Sequence, residues 1–272
     1  MAKRRVIDWR LRPPFGSFKL NKVYENMEDP RMPESAANFS MDLLVKEMDE
    51  AGVEIGMVPF RKGQDIADMA KLNELYPGRF YSMAHIDPYA EDPVKDIDDL
   101  IVNGPAKLAI VEPGQIFIKQ PLHADDKLLY PIYEKCQKDN IVLTLTFGGL
   151  YSAGLEYYNP VYIDRVAREF PNLKMVLTHG GWPYVTEIMH VCYENSNVYL
   201  APDCYFFPLQ PGSRDYAIAA SNLLQDQVVF GTAYPALSFQ NAIDGYIACG
   251  LTDEKAQEKV FWSNAAKLLG IE

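Results

Sequence analysis

The sequence predicts a single-domain α/β protein, a (β/α)8 TIM barrel spanning residues 1–272. Three observations predict it. Short β-rich apolar runs alternate with helical patterns along the whole chain. Eight such pairs fit within 272 residues, an ordinary length for this barrel. No repeat, low-complexity tract or linker divides the chain.

The first strand is expected over Arg5 to Leu11, before a proline-rich loop. Met41, Leu44, Val45 and Met48 fall on one face at helical spacing, so Met41 to Ala51 reads as a helix. Ser40 offers an N-cap hydroxyl, and Gly52 stops the helix before the second strand, Val53 to Val58. Further strands are expected at Phe80 to Ile86, Ala106 to Val111, Ile141 to Thr146, Lys174 to His179, Val198 to Ala201 and Gln227 to Gly231. Helical segments fall at Pro93 to Asn103, Lys127 to Asp139, Pro160 to Phe170, Trp182 to Asn195, Ser213 to Leu224 and Phe239 to Gly250, with Asp253 to Leu269 closing the chain. Ile116 to Asp126 and Asp203 to Ser213 are the long loops. In this fold the residues that do chemistry stand where strands end.

Composition narrows the partners. The net charge is -11 and the only basic run is Lys3 to Arg5, which argues against nucleic acid and against an anionic membrane surface. No apolar stretch follows Met1-Ala2-Lys3-Arg4-Arg5 before Asp8, and none approaches the roughly 18 residues that a membrane span needs. Cys136, Cys192, Cys204 and Cys249 are widely spaced without a CxxC pair, which fits reduced packing thiols. A soluble, cytoplasmic protein is expected.

Three motifs end predicted strands. In Met175-Val176-Leu177-Thr178-His179-Gly180-Gly181-Trp182-Pro183 a histidine at the strand end is followed by two glycines that let backbone and ligand approach closely. Pro183 suits a first helical turn. The rim position favours a working imidazole over one that only bonds a carbonyl. In Val6-Ile7-Asp8-Trp9-Arg10-Leu11-Arg12 the two-residue period puts Asp8, Arg10 and Arg12 on one face and Ile7, Trp9 and Leu11 on the other. If the first face points inward, two permanently charged guanidiniums, which only donate, clamp a carboxylate, and Asp8 orients Arg10. The alternative is that one arginine pairs with an acid on a neighbouring strand while the other is solvated near Pro13 and Pro14, a reading that suits Arg12 better than Arg10. The third motif is Val228-Val229-Phe230-Gly231-Thr232-Ala233-Tyr234-Pro235.

Weaker candidates surround these. His85 could line the pocket or be a satisfied core histidine, and Asp203 is expected to face the site. Glu112, near the end of the fourth strand, could act as a base or bind a metal, or cap the loop through Pro113 and Gly114. Trp182, Tyr205, Phe206, Phe207 and Tyr234 could wall a flat substrate, or serve as packing. His123 is assigned to a loop and His190 to a helix surface.

The motifs, in this order and with the closing Phe261-Trp262-Ser263-Asn264-Ala265-Ala266-Lys267-Leu268-Leu269-Gly270, resemble the amidohydrolase superfamily over nearly the whole chain. The resemblance is to its amidohydrolase-related branch, which holds aminocarboxymuconate semialdehyde decarboxylase, resorcylate decarboxylase and pyrone dicarboxylate lactonase. It implies a metal held by two histidines of a strand-one Asp-x-His-x-His, a histidine ending strand five and an aspartate in a strand-eight Gly-Ser/Thr-Asp-Tyr-Pro. Here those positions are Arg10, Arg12, Thr146 and Ala233. Arginine and alanine cannot ligate, and threonine is a poor ligand. His179 matches the histidine that the resemblance implies is the catalytic acid/base. Loss of the ligands with retention of the proton-transfer group favours a repurposed site over a decayed one.

The resulting expectation is a metal-independent enzyme with no cofactor, acting on a small carboxylated compound, aromatic or unsaturated. Arg10 and Arg12 bind the carboxylate, His179 transfers the proton, and Asp203 or Thr146 positions water or a substrate hydroxyl. His85, Trp182, Tyr205 and Tyr234 line the substrate. Without a metal to generate hydroxide, decarboxylation, lactone opening or hydration is favoured over direct water attack. Two alternatives stay open: a divalent metal held by His85, Glu112, His179 and Asp203, or a non-catalytic carboxylate-binding barrel. A homo-oligomer is expected by family analogy, with the loop after strand seven as its interface.

Overall fold

Seven parallel strands pair in sequence order, β1 (Val6–Asp8), β2 (Val53–Phe60), β3 (Phe80–His85), β4 (Leu108–Val111), β5 (Leu143–Thr146), β6 (Met175–Thr178) and β7 (Val198–Ala201). The computed structural model describes residues 4–25, 32–61, 63–116 and 118–271. Lys3 of the basic run and Phe117 of the loop after β4 lie outside the described residues.

The expected eighth strand is not a regular ladder. Residues 227–234 instead join β7 to β1 through isolated parallel bridges, Leu200 to Val228 and Leu11 to Tyr234, and through Trp9 N–H to Phe230 O at 2.9 Å. The barrel closes through these contacts. The β1 ladder ends at Asp8, so residues 227–234 meet only a short partner on that side and form isolated bridges.

Alternate residues of each strand sort into two apolar groups. Ile7, Trp9, Met57, Met83, Ile110, Val176, Ala201 and Val229 fill the lumen, and Trp262, Ala265, Ala266 and Leu269 join them from the chain's end. Val6, Leu11, Val58, Ala84, Val111, Leu145, Leu177, Leu200 and Phe230 belong to the larger layer shared with the helices. Trp9 also crosses the lumen, donating from Nε1 to Thr144 Oγ1 at 3.2 Å.

The helices follow the apolar pattern. Met41–Ala51 starts with Ser40 Oγ accepting from Leu43 N–H at 3.4 Å and stops at Gly52, whose φ of 78° is left-handed. A helix at Ala67–Leu75, absent from the sequence reading, links β2 to β3. The helix after β6 begins at Val185, so Pro183 is not in its first turn. Among the described residues no helix is long and apolar enough to cross a membrane.

One sequence expectation fails at the first strand. Ile7 and Trp9 face the lumen together but Leu11 does not, because the β1 ladder stops at Asp8 and the chain turns there. Asp8 makes the turn: Oδ1 accepts Arg10 N–H at 3.0 Å and Thr232 N–H at 2.9 Å, while Oδ2 accepts the Thr232 hydroxyl at 2.6 Å. The carboxylate therefore ties the ends of the first and eighth staves and does not orient the Arg10 guanidinium.

Burial pushes the Asp8 carboxyl up to about 7, against the hydrogen bonds from Thr232 and Arg10 that favour its ionised form. A carboxyl raised above its ordinary 3.8 favours the fold at acid pH, and that contribution is lost as pH rises from 3.8 through about 7. Asp8→Asn keeps the geometry and removes the titration. Urea unfolding across this window is expected to show a pH-dependent loss, on the order of a few kcal/mol, in the native chain that is absent in the variant. Parallel pH profiles for the two proteins would refute this account.

Candidate active site

At the ends of β6, β7 and the eighth stave the backbone turns through left-handed conformations at non-glycine residues: His179 (φ 65°), Asp203 (φ 44°) and Ala233 (φ 54°). Such conformations cost on the order of 1 kcal/mol or more apiece and gather where geometry must be held for function. Their effect is to bring the His179 ring and the Asp203 carboxylate together at the rim. Asp203 Oδ2 accepts His179 N–H at 3.2 Å, and Oδ1 accepts Cys204 N–H at 2.6 Å.

The centre of the site is a three-residue line. Arg10 Nη1 stands 2.6 Å from His179 Nε2, and His179 Nδ1 stands 3.1 Å from Asp203 Oδ1. A guanidinium only donates, so Nε2 must be the acceptor and Nδ1 must carry the proton given to Asp203. Burial and the Arg10 charge lower the His179 pKa, overcoming the opposite pull of Asp203. The ring is therefore neutral, and its contact with Asp203 is a hydrogen bond to a carboxylate. Burial opposes ionisation of Asp203, but His179 and Arg10 hold its carboxyl below the ordinary carboxylate value. Arg10 Nη1 lies 3.6 Å from Asp203 Oδ2, so Asp203 rather than Asp8 is the counter-ion of this arginine.

Arg12 does something else. Its Nε donates to Tyr234 O at 2.9 Å and its Nη2 to Ala233 O. Both named donors are thus used by the loop after the eighth stave, which corrects the expectation that Arg12 clamps a substrate carboxylate. The arginine at one histidine position of the ligand pattern thus holds the backbone carbonyl of Ala233, at the aspartate position.

Across the lumen a second cluster forms. Glu112 Oε1 pairs with Arg61 Nη2 at 2.6 Å and accepts the Thr146 hydroxyl at 3.0 Å. Burial opposes ionisation of Glu112, but Arg61, His85 and Arg10 keep its carboxyl below the ordinary value. Glu112 faces the site and does not cap the Pro113 loop, because a buried carboxylate beside two arginines gains more there than at a solvated turn. Thr146 spends its hydroxyl on Glu112. His85 ends β3 close enough to act on Glu112 electrostatically. Arg61, which follows β2 directly, was not anticipated by sequence; an arginine just after a strand of apolar residues was the signal available.

The aromatic wall is partly as expected. Trp182 stacks on Tyr205 with ring centroids 5.0 Å apart, and Tyr205 meets the His179 ring edge-on at 5.3 Å. Tyr234 does not line the site: its ring stacks on Phe239 and its hydroxyl bonds Ser35 Oγ at 2.6 Å, in the layer between barrel and helices. The strand period carries it to the outer face. Phe206 likewise packs against Tyr246. Cys204, expected as packing, is half-buried beside Asp203. The other three cysteines are buried and free. His123 stacks on Tyr162 in the loop after β4.

The amidohydrolase family model, the one described as Amidohydrolase, matches residues 9–271. The chain belongs to the amidohydrolase family. Its place is the amidohydrolase-related branch, and as a member it is an enzyme of the hydrolase or lyase type. An uncharacterised TIM-barrel protein from Bordetella bronchiseptica is 32% identical, with a TM-score of 0.87 over 98% of both chains. A dihydroxybenzoic acid decarboxylase from Polaromonas, solved with manganese and the inhibitor 2-nitroresorcinol, is 18% identical with a TM-score of 0.69 over 98% of this chain and 97% of that one. The 4-oxalomesaconate hydratase of Rhodopseudomonas palustris is 16% identical with a TM-score of 0.67, over 97% of this chain and 95% of that one. These last two likenesses show the fold. No curated protein matches.

The residues of this amidohydrolase at the family's ligand positions do not fit a metal ion. Arg10 places a cation against the one His179 nitrogen with a free lone pair, and Arg12 is engaged by backbone carbonyls. The alternative set of His85, Glu112, His179 and Asp203 does not converge either. Among the described residues, the group whose ligand atoms lie within 4.8 Å of one another is His179, Asp203 and Cys204, while Glu112 is committed to Arg61 and Thr146.

Gly149 lies against the imidazole, with a left-handed φ of 82°; a Cβ there would stand 3.0 Å from two ring carbons of His179 and 2.9 Å from the Tyr205 hydroxyl. Gly149→Ala is expected to displace the ring, lowering kcat/KM by roughly tenfold or more and stability by about 1–3 kcal/mol. Steady-state kinetics and thermal melts check this, and an alanine variant with native kinetics would show that the ring position is not critical.

Proposed function

We propose that this amidohydrolase works without a metal on a small carboxylated compound, aromatic or unsaturated, by decarboxylation, hydration or lactone opening. The observation that carries the reading is the Arg10 guanidinium 2.6 Å from His179 Nε2, with Asp203 on the other ring nitrogen. A fixed positive charge adjoins the group that can move a proton. Fold relatives that act on dihydroxybenzoic acid and on 4-oxalomesaconate support the substrate class by analogy.

The chemistry follows from competition for one donor. A substrate carboxylate is a stronger acceptor for the Arg10 N–H groups than a neutral imidazole. Once it takes them, Nε2 is released with its lone pair, and the neutralised Arg10 no longer disfavours the imidazolium. Nε2 of His179 can then accept a proton from water or a substrate hydroxyl and, once charged, deliver it to a carbon that has lost carbon dioxide. Asp203 orients the ring and stabilises its charged form. Glu112 Oε1 is spent on Arg61 and Thr146, so Glu112 Oε2 is the oxygen that positions water or a substrate hydroxyl. The stacked Trp182 and Tyr205 suit a flat substrate.

A second reading rests on His179, Asp203 and Cys204, whose ligand atoms cluster within 4.8 Å. It requires Arg10 to leave His179 before an ion enters. We further propose that the chain works as one domain and, on family analogy, as a homo-oligomer, in the cytoplasm, where its free cysteines stay reduced.

Elemental analysis of the purified protein is expected to find less than stoichiometric metal, with activity on a panel of lactones and carboxylic acids unaffected by chelators; a stoichiometric metal needed for turnover would sink the metal-free reading. His179→Ala should lower kcat by about 10²- to 10⁴-fold while carboxylate affinity changes little. Since burial and Arg10 keep the free-enzyme imidazole neutral below its ordinary 6.5, the acid limb of kcat/KM is expected below pH 6.5. A limb at or above that pH would mean another group is titrating. Arg10→Met should weaken anionic ligands by roughly tenfold or more, and an unchanged affinity would make this arginine structural.

A further inference from the structure

We infer that the turn after β2 supplies the outer half of the carboxylate site, with Arg61 sharing the anion with Arg10 and Gln64 adding a third donor. The inference rests on the carboxylate reading above and replaces Arg12 with Arg61 as the second guanidinium.

Unspent donors carry it. Among the described residues, five buried side-chain polar atoms lack a hydrogen-bond partner, and three of them are Arg10 Nε, Arg61 Nε and Gln64 Nε2. A buried donor left unsatisfied costs about 1–3 kcal/mol, so such atoms are rarely left without a function. Two of the three belong to one turn. Gln64 Oε1 accepts Arg61 N–H at 2.7 Å, which holds the glutamine amide beside the arginine and leaves its NH2 group free to donate elsewhere.

Charge points the same way. Arg10 and Arg61 are close enough that each arginine's charge acts on the other's surroundings: Arg61 disfavours the charged form of Arg10, and both favour ionised Glu112. Asp203 answers Arg10 and Glu112 answers Arg61, each through one terminal nitrogen. Arg12, held by carbonyls, adds a third positive charge with no carboxylate paired to it among the described residues. Asp8 spends its oxygens on Thr232 and on the Arg10 backbone N–H rather than on a guanidinium.

Exposure orders the two arginines. The Arg61 side chain is 24% exposed and that of Arg10 is 5% exposed, so an entering carboxylate meets Arg61 first and Arg10 afterwards. Arg12 has no unpartnered buried nitrogen among the described residues.

The test uses the full chain with formate, acetate, benzoate and 2,6-dihydroxybenzoate as probes, read by calorimetric titration and by the shift in Tm. Removing Arg61 alone strands Glu112, so the principal variant is Arg61→Met with Glu112→Gln. It is expected to bind the best probe at least tenfold more weakly than the native chain, as Arg10→Met does, while Arg12→Lys stays within about threefold. If the double variant does not fold, Arg61→Lys serves instead: lysine keeps the ion pair with Glu112 but lacks an Nε donor, and affinity should still fall. Gln64→Glu, which keeps the acceptor for Arg61 N–H and removes the donor, should also weaken binding. Native affinity in the Arg61 variants together with loss in Arg10→Met overturns the role of Arg61 and leaves the carboxylate reading intact. Loss in the Arg12 variant but not in those of Arg61 restores Arg12 as the ligand. If no probe binds the native chain, the carboxylate reading falls and this assignment falls with it.

Discussion

The contact between the Arg10 guanidinium and His179 Nε2 is the constraint on which the rest of the site depends. A cation that cannot lose its proton is buried beside a base, and every neighbouring group is arranged around that fact. Asp203 lies on the far side of the imidazole, accepts its proton-bearing nitrogen and serves as counter-ion to Arg10. The left-handed backbone at His179 and Asp203 is what brings the two side chains within reach. The low dielectric of the rim strengthens both the attraction to Asp203 and the pressure on the imidazole to stay neutral.

The replaced ligand positions then separate into two devices. Arg10 meets the His179 imidazole at the rim. Arg12 turns to the carbonyls of Ala233 and Tyr234 and closes the barrel at its weakest seam, where residues 227–234 lack a regular ladder. Asp8 reinforces the same seam through Thr232. The rim is held together by ion pairs and backbone contacts. Glu112 and Arg61 form the opposite wall, and Thr146, at a former ligand position, now serves that wall.

Much of this was legible in the chain. The order of strands and helices, the limits of Met41–Ala51, the family and the presence of a histidine and of arginines at strand ends all follow from local periodicity and from residue types in a pattern. The assignment of Arg10, Arg12 and Asp8 to one inward face did not hold, because the two-residue rule applies only while the ladder lasts and β1 ends at Asp8. Tyr234 lies in the outer layer with Val228 and Phe230, because alternation continues along the eighth stave and carries it away from the lumen.

By itself, then, the sequence determined that this is a barrel of the amidohydrolase family whose metal-ligand positions cannot ligate and whose strand-six histidine is kept. Those are statements about composition at positions in a pattern, and they need no coordinates. Only the tertiary structure decided which carboxylate answers which arginine, that Arg12 holds a backbone seam, and that Arg61 and Gln64 approach the site with donors unspent. Pairing between residues on different strands depends on rim geometry, on left-handed turns and on the point where a ladder stops, and none of these is written in the spacing of one segment.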